Sequence, residues 1–146
     1  MPRVTLPVIQ PPEAADRVSC LQCARCCTYV AVGINPPTTP KRATEILWHL
    51  YHQAVSVSRD EAGEWFVRFE ARCKNLGEGN LCSIYPNRPH ICRSYSDEAC
   101  EVNAPQEGLI DFKEPAEFLD YLRLKRPKVY KSIEAKYIPE VHLRRV

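Results

Sequence analysis

Eight cysteines in 146 residues, four bunched within 20–27 and four spread over 73–100, constrain this chain more than any other feature. At about 5 % of residues they fall below the roughly 8–10 % typical of a small disulfide scaffold, and cysteines scattered through a core would not bunch. The first run reads Cys20-Leu21-Gln22-Cys23-Ala24-Arg25-Cys26-Cys27. Two residues between cysteines let a tight turn bring both sulfurs within reach of one ion. The C-x2-C-x2-C spacing of Cys20, Cys23 and Cys26 resembles a run that wraps an iron–sulfur cluster, with a remote cysteine as fourth ligand. Cys27 is vicinal to Cys26, and neighbouring side chains diverge, so one of the pair can serve a second ion.

Cys73, Cys82, Cys92 and Cys100 follow at separations of nine, ten and eight residues, without a C-x-x-C knuckle. Cys73 and Cys82 flank a glycine-containing turn at 76–80 and can converge at its base. Eight thiolates allow two four-sulfur sites, or one such site plus structural or reactive spares. Arg25, Arg72, Lys74 and Arg93 each adjoin a cysteine, and Arg88 lies in the same loop. These cations would offset the charge of about −2 carried by a four-thiolate zinc or cubane site and lower thiol pKa values. The remote fourth cysteine favours iron–sulfur, whereas two groups of four favour two zincs, and the spacing leaves both open.

The remaining composition excludes several classes. With 45 % hydrophobic and 26 % charged residues, the chain is ordinary globular material of one-domain length. It contains no apolar run long enough for a transmembrane helix, and its first residues build no secretory h-region. A reducing cytoplasmic setting is therefore expected, where clustered cysteines bind metal or do redox chemistry rather than form disulfides. A net charge of +2 predicts no strong electrostatic partner.

Along the chain, residues 1–19 with Pro2, Pro7, Pro11 and Pro12 read as an extended arm, whose Val4, Leu6, Val8 and Ile9 are expected to pack on the body. A short strand at 29–32 ends at Asn35-Pro36-Pro37. Thr39 as cap and Pro40 at the first helical position open a helix over 39–54, with Ala43, Ile46, Leu47, Leu50 and Ala54 on its apolar face. His49 and His52 fall on the opposite side. Alternation of Val55 and Val57, then of Trp65, Val67 and Phe69, predicts a hairpin closed by a four-residue loop at 60–63. Residues 71–105 show little periodicity. Helices are expected at 115–126, with Ala116, Phe118, Leu119 and Leu122 inward, and at 129–137. The expected architecture is a small single α+β domain: a helix and β-hairpin body beside a loop-rich cysteine site. Its parts would be a proline-rich arm (1–19), a metal-binding domain (20–105) and a C-terminal helical extension packed on it (106–146).

Other chemistry is weakly signalled. His49 and His52 read as surface residues; His90, between Pro89 and Ile91, is the better candidate ligand or proton donor. From Tyr121 onward eight Lys or Arg stand against two Glu. Such a tail could touch nucleic-acid phosphates, but acidic residues preceding basic ones along a helix simply complement its dipole. Gly77-Glu78-Gly79 lacks the third glycine and the strand-to-helix setting of a nucleotide loop. HExxH, P-loop and GxSxG motifs are missing, and Cys20-x-x-Cys23 has no thioredoxin-like βαβ context.

The order CxxCxxCC, then Cys73, then Cys82-Ser83-Ile84-Tyr85-Pro86-Asn87-Arg88-Pro89-His90-Ile91-Cys92-Arg93-Ser94-Tyr95 is similar to the YkgJ-like cysteine-cluster family, whose members are described as candidate zinc- or iron-chelating domains. The resemblance spans about residues 18–100 and implies that Cys20, Cys23, Cys26, Cys27, Cys73, Cys82, Cys92 and Cys100 are all metal ligands. Relatives often carry glycine where this chain has Ala24, which puts in doubt a left-handed backbone there, although alanine can be tolerated. Tyr85, Arg88, Arg93 and Tyr95 would surround Cys92, donating hydrogen bonds to sulfur or recognising an anionic group beside the metal. The expected function is a cytoplasmic protein that binds zinc or iron, an iron–sulfur cluster included, for structure, sensing or electron transfer. A similarity to part of the flagellin lysine N-methylases keeps a redox or methyl-transfer enzyme open. An interaction module using the basic tail is the third reading. The partner expected is a metal ion, with no protein partner specified, nucleic acid disfavoured and no membrane.

Overall fold

Thr39 starts the first long helix as the sequence predicts. A computed structural model of the protein describes residues 20–94, 100–102 and 106–139, with the backbone alone for Cys20 and Leu21. The arm expected at 1–19, Tyr95 and the last residues of the basic tail lie outside them. The chain is α+β, and its contacts divide it into two compact units: Met1–Tyr29 with Ala71–Gly108, and Val30–Glu70 with Leu109–Val146. No described helix is long and apolar enough to cross a membrane.

In the second unit a four-stranded sheet has the order β1-β3-β2-β4, with β1 at Tyr29–Ile34, β2 at Val55–Arg59, β3 at Trp65–Glu70 and β4 at Ile110–Phe112. β2 is central in register: Val57 stands opposite Val67 on β3 and Phe112 on β4, both pairings antiparallel. The hairpin loop is one residue longer than predicted, because Asp60 Oδ1 accepts the Glu64 N–H at 2.8 Å and Gly63 takes φ +86°. Alternation places Trp65 and Val67 in the core but leaves Phe69, near the strand end, 37 % exposed. β4 was not expected, since three residues are too few for a period-2 pattern to show.

The helix at Pro40–Leu50 is α2 in chain order, after the short α1 of Cys20–Cys23. Thr39 Oγ1 accepts the Arg42 N–H at 3.3 Å, meeting one of the helix's orphan donors. Ala43, Ile46, Leu47 and Leu50 are buried. The helix stops four residues short of Ala54, which is exposed in a left-handed conformation, φ +58°. Exposed His52 fits the expectation. His49 does not: it is half-buried with its ring edge-on to Phe69, and burial, then the charge of His52, lowers its pKa against a smaller opposing effect of Glu45.

α3 is the single turn His90–Arg93, and α4 and α5 span Pro115–Lys125 and Pro127–Tyr137. The carboxylate of Glu117 accepts the backbone N–H groups of Lys113 and Glu114, a capping box that fixes the start of α4. Trp65, Phe112, Phe118 and Tyr121 form one aromatic cluster, in which Trp65 stacks on Phe112 at 5.8 Å and Phe118 meets Phe112 edge-on at 5.5 Å. Ile133 of α5 is fully buried in the same core, so this basic helix is an integral part of it. Each fully buried Leu, Ile or Phe side chain contributes roughly 1.5–3 kcal/mol.

The first unit is built differently. Its described elements are α1, a 3-10 turn at Arg25–Cys27, further 3-10 turns at Glu78–Asn80 and Tyr85–Asn87, and α3. Among the described residues, its buried apolar side chains are Ala24 and Leu76 alone.

Candidate metal centre

All eight cysteines belong to this first unit. The local chain path explains how the first run is presented. α1 ends after one turn, and Ala24 then adopts φ +47°, ψ +21°, the left-handed conformation that commonly closes a helix. The left-handed backbone that the alanine put in doubt is present here. Glycine is the low-strain residue at such a position, yet this alanine takes it with only 5 % of its surface exposed. Cys27 N–H donates to Ala24 O and Thr28 N–H to Arg25 O, both at 3.0 Å, which close the 3-10 turn carrying Cys26 and Cys27.

Remote cysteines reach this turn through the backbone. Cys73 N–H donates to Cys27 O at 2.7 Å, and Ala71 N–H to Thr28 O at 2.8 Å. The 73–82 segment folds back as foreseen: Leu76 and Cys82 form an antiparallel bridge, Gly77 N–H donates to Leu81 O, and Ser83 N–H to Asn75 O. Asn80 takes φ +60° and Gly79 φ +63° at the tip, where the 3-10 turn lies beside α1. Arg72 donates to Leu76 O at 3.3 Å across the same turn. Cys100 arrives by another route. Glu101 pairs with Arg25 at 3.4 Å, fixing its segment to the loop between Cys23 and Cys26.

The described cysteines, Cys23, Cys26, Cys27, Cys73, Cys82, Cys92 and Cys100, stand outside any disulfide; Cys73 is exposed and the others are half-buried. Burial raises the pKa of Cys26, the nearby Cys23 and Cys100 add to the rise, and hydrogen bonds from Cys27 and the backbone oppose it. Cys27 is pushed up to about 11, first by burial, then by Cys26, then by Cys73 and Cys82. A metal bound here must therefore displace protons, as thiolate sites generally do. Among the described residues, no three Cys, His, Asp or Glu side chains are drawn tightly enough together to form a finished metal-holding group. Donor chemistry nonetheless fits zinc or iron, both of which take thiolate ligands. The thiols interacting with Cys26 and Cys27 come from four separate stretches of chain.

The Arg- and Tyr-rich loop is turned on itself. Arg93 donates to the Arg88 and Pro86 carbonyls, and Arg88 donates to Tyr85 O while stacking at 3.8 Å on the Tyr85 ring. These bonds brace the turn that leads into α3 and Cys92. His90, on α3, is exposed. Sequence reading missed Glu101, whose only signal was an acidic residue beside Cys100. It also missed Leu76, the lone large apolar side chain buried in this unit among the described residues.

Comparison with curated proteins and with solved structures finds no match. The family model of the CxxCxxCC domain, described as "Putative zinc- or iron-chelating domain", matches residues 19–114. That stretch covers about two thirds of the chain, takes in all eight cysteines and both edges of the site just described, and so the chain belongs to the CxxCxxCC family.

Proposed function

We propose that this protein binds zinc or iron through its eight cysteines and that the bound metal serves first as the cross-link of the cysteine unit. The observation that carries this reading is the unit's composition: every cysteine of the chain, and among the described residues only Ala24 and Leu76 as buried apolar side chains. A unit with so little apolar burial needs a staple, and small domains in that position use disulfides or metals. None of its described cysteines stands in a disulfide, and a reducing cytoplasm, where we place the protein, leaves metal as the staple. Folding of this unit is then coupled to loading, which suits a structural or metal-sensing role.

The test is anaerobic purification of the full chain followed by elemental analysis and a visible spectrum. Zinc in colourless protein identifies a structural thiolate site; iron with acid-labile sulfide and a brown colour identifies a cluster. Metal-free protein with an ordered cysteine unit and eight freely alkylated thiols would overturn the proposal.

A further inference from the structure

The vicinal pair Cys26-Cys27 poses a geometric problem. Both residues lie in the 3-10 turn Arg25–Cys27. Such a helix has three residues per turn, so consecutive side chains leave it about 120° apart. Each of the two also has its own company. Cys26 interacts with Cys23 and Cys100, and the Arg25–Glu101 ion pair holds the Cys100 segment on that side. Cys27 interacts with Cys73 and Cys82. The hydrogen bond from Cys73 N–H to Cys27 O fixes the first of these, and the Leu76–Cys82 bridge returns the second to the same place. Beside the contact between Cys26 and Cys27 themselves, Cys23 and Cys100 stand in the first set and Cys73 and Cys82 in the second.

We propose that the peptide bond between Cys26 and Cys27 separates two metal centres, Cys26 joining Cys23 and Cys100 at one, and Cys27 joining Cys73 and Cys82 at the other. This rests on the metal-binding reading above and deepens it. Every thiol that ligates releases its proton to solvent. The 3-10 turn is then the rigid wall between the sites, and the left-handed Ala24 sets the angle at which Cys23 faces Cys26.

The full wild-type chain, exchanged with cadmium-113, tests this without a variant that must fold. Metal analysis counts the ions per chain, and proton–cadmium correlation through the cysteine β-protons identifies the ligands of each. Expected are two cadmium ions and two resonances, one correlated with Cys23, Cys26 and Cys100, the other with Cys27, Cys73 and Cys82. Correlation of Cys26 and Cys27 with a single resonance, or one ion per chain, overturns the division while leaving metal binding intact. No bound cadmium overturns both. As a second measurement, Cys26→Ser and Cys27→Ser are each expected to lower the cadmium content from two ions to one and to abolish different resonances. Loss of the same resonance by both variants contradicts the proposal.

Discussion

Among the described residues, thirteen of fifteen buried apolar side chains lie in the unit of Val30–Glu70 and Leu109–Val146, while all eight cysteines lie in the other. One unit is held by an aromatic and aliphatic core of ordinary kind. The other is a set of single turns, each closed by a few backbone hydrogen bonds and by arginines such as Arg88 and Arg93 that stitch carbonyls of their own loop. Such turns do not accumulate cooperative stability, because a hydrogen bond adds only about 0.5–1.5 kcal/mol net. The contrast teaches that two means of stabilisation are segregated along a single chain. Conditions that attack one unit should therefore spare the other.

The largest effect should come from breaking the cysteine unit. Cys73→Ser with Cys82→Ser is expected to cut bound metal and remove stabilisation on the order of 10 kcal/mol, the scale of structural zinc in small domains. Metal analysis and amide exchange over 71–94 measure this, and the amides of α2 should remain protected. Next is Phe118→Ala, which empties a fully buried site and should cost about 3–5 kcal/mol in denaturant unfolding of the core. Its metal content should match the wild type; a proportional loss of metal would break the contrast. Thr39→Ala removes the cap of α2 and should cost about 1 kcal/mol. At Ala54, glycine should stabilise by about 0.5–1 kcal/mol, the left-handed strain it relieves exceeding the entropy it adds. Smallest is Arg25→Ala. The ion pair with Glu101 is partly exposed, so its loss should cost about 0.5 kcal/mol, less in high salt, read from thermal melts.

Much of the core unit was legible because it follows local rules. Thr39-Pro40 announces α2, alternation announces the hairpin, and Pro115 announces α4; Pro127, read as the stop of that helix, is also the first residue of α5, two residues before the expected start at 129. Less was legible where distant segments decide the outcome. The pairing of β4 with β2, and the half-burial of His49 against Phe69, depend on partners many residues away. At the candidate site the cysteine spacing announced the chemistry, and the convergence of Cys73 and Cys82 could be foreseen from the turn between them. The approach of Cys100 could not, since it runs through an ion pair with Arg25. Nor could the left-handed Ala24, where tertiary context holds an alanine in a glycine's conformation.

Amide hydrogen exchange on the full chain, before and after complete metal removal under reducing conditions, tests the central claim most directly. Metal removal should abolish protection in the 71–94 segment and around 24–28, while α2, β2, β3 and α4 exchange as slowly as before. Unchanged protection of the cysteine segments in metal-free, fully reduced protein would contradict the account.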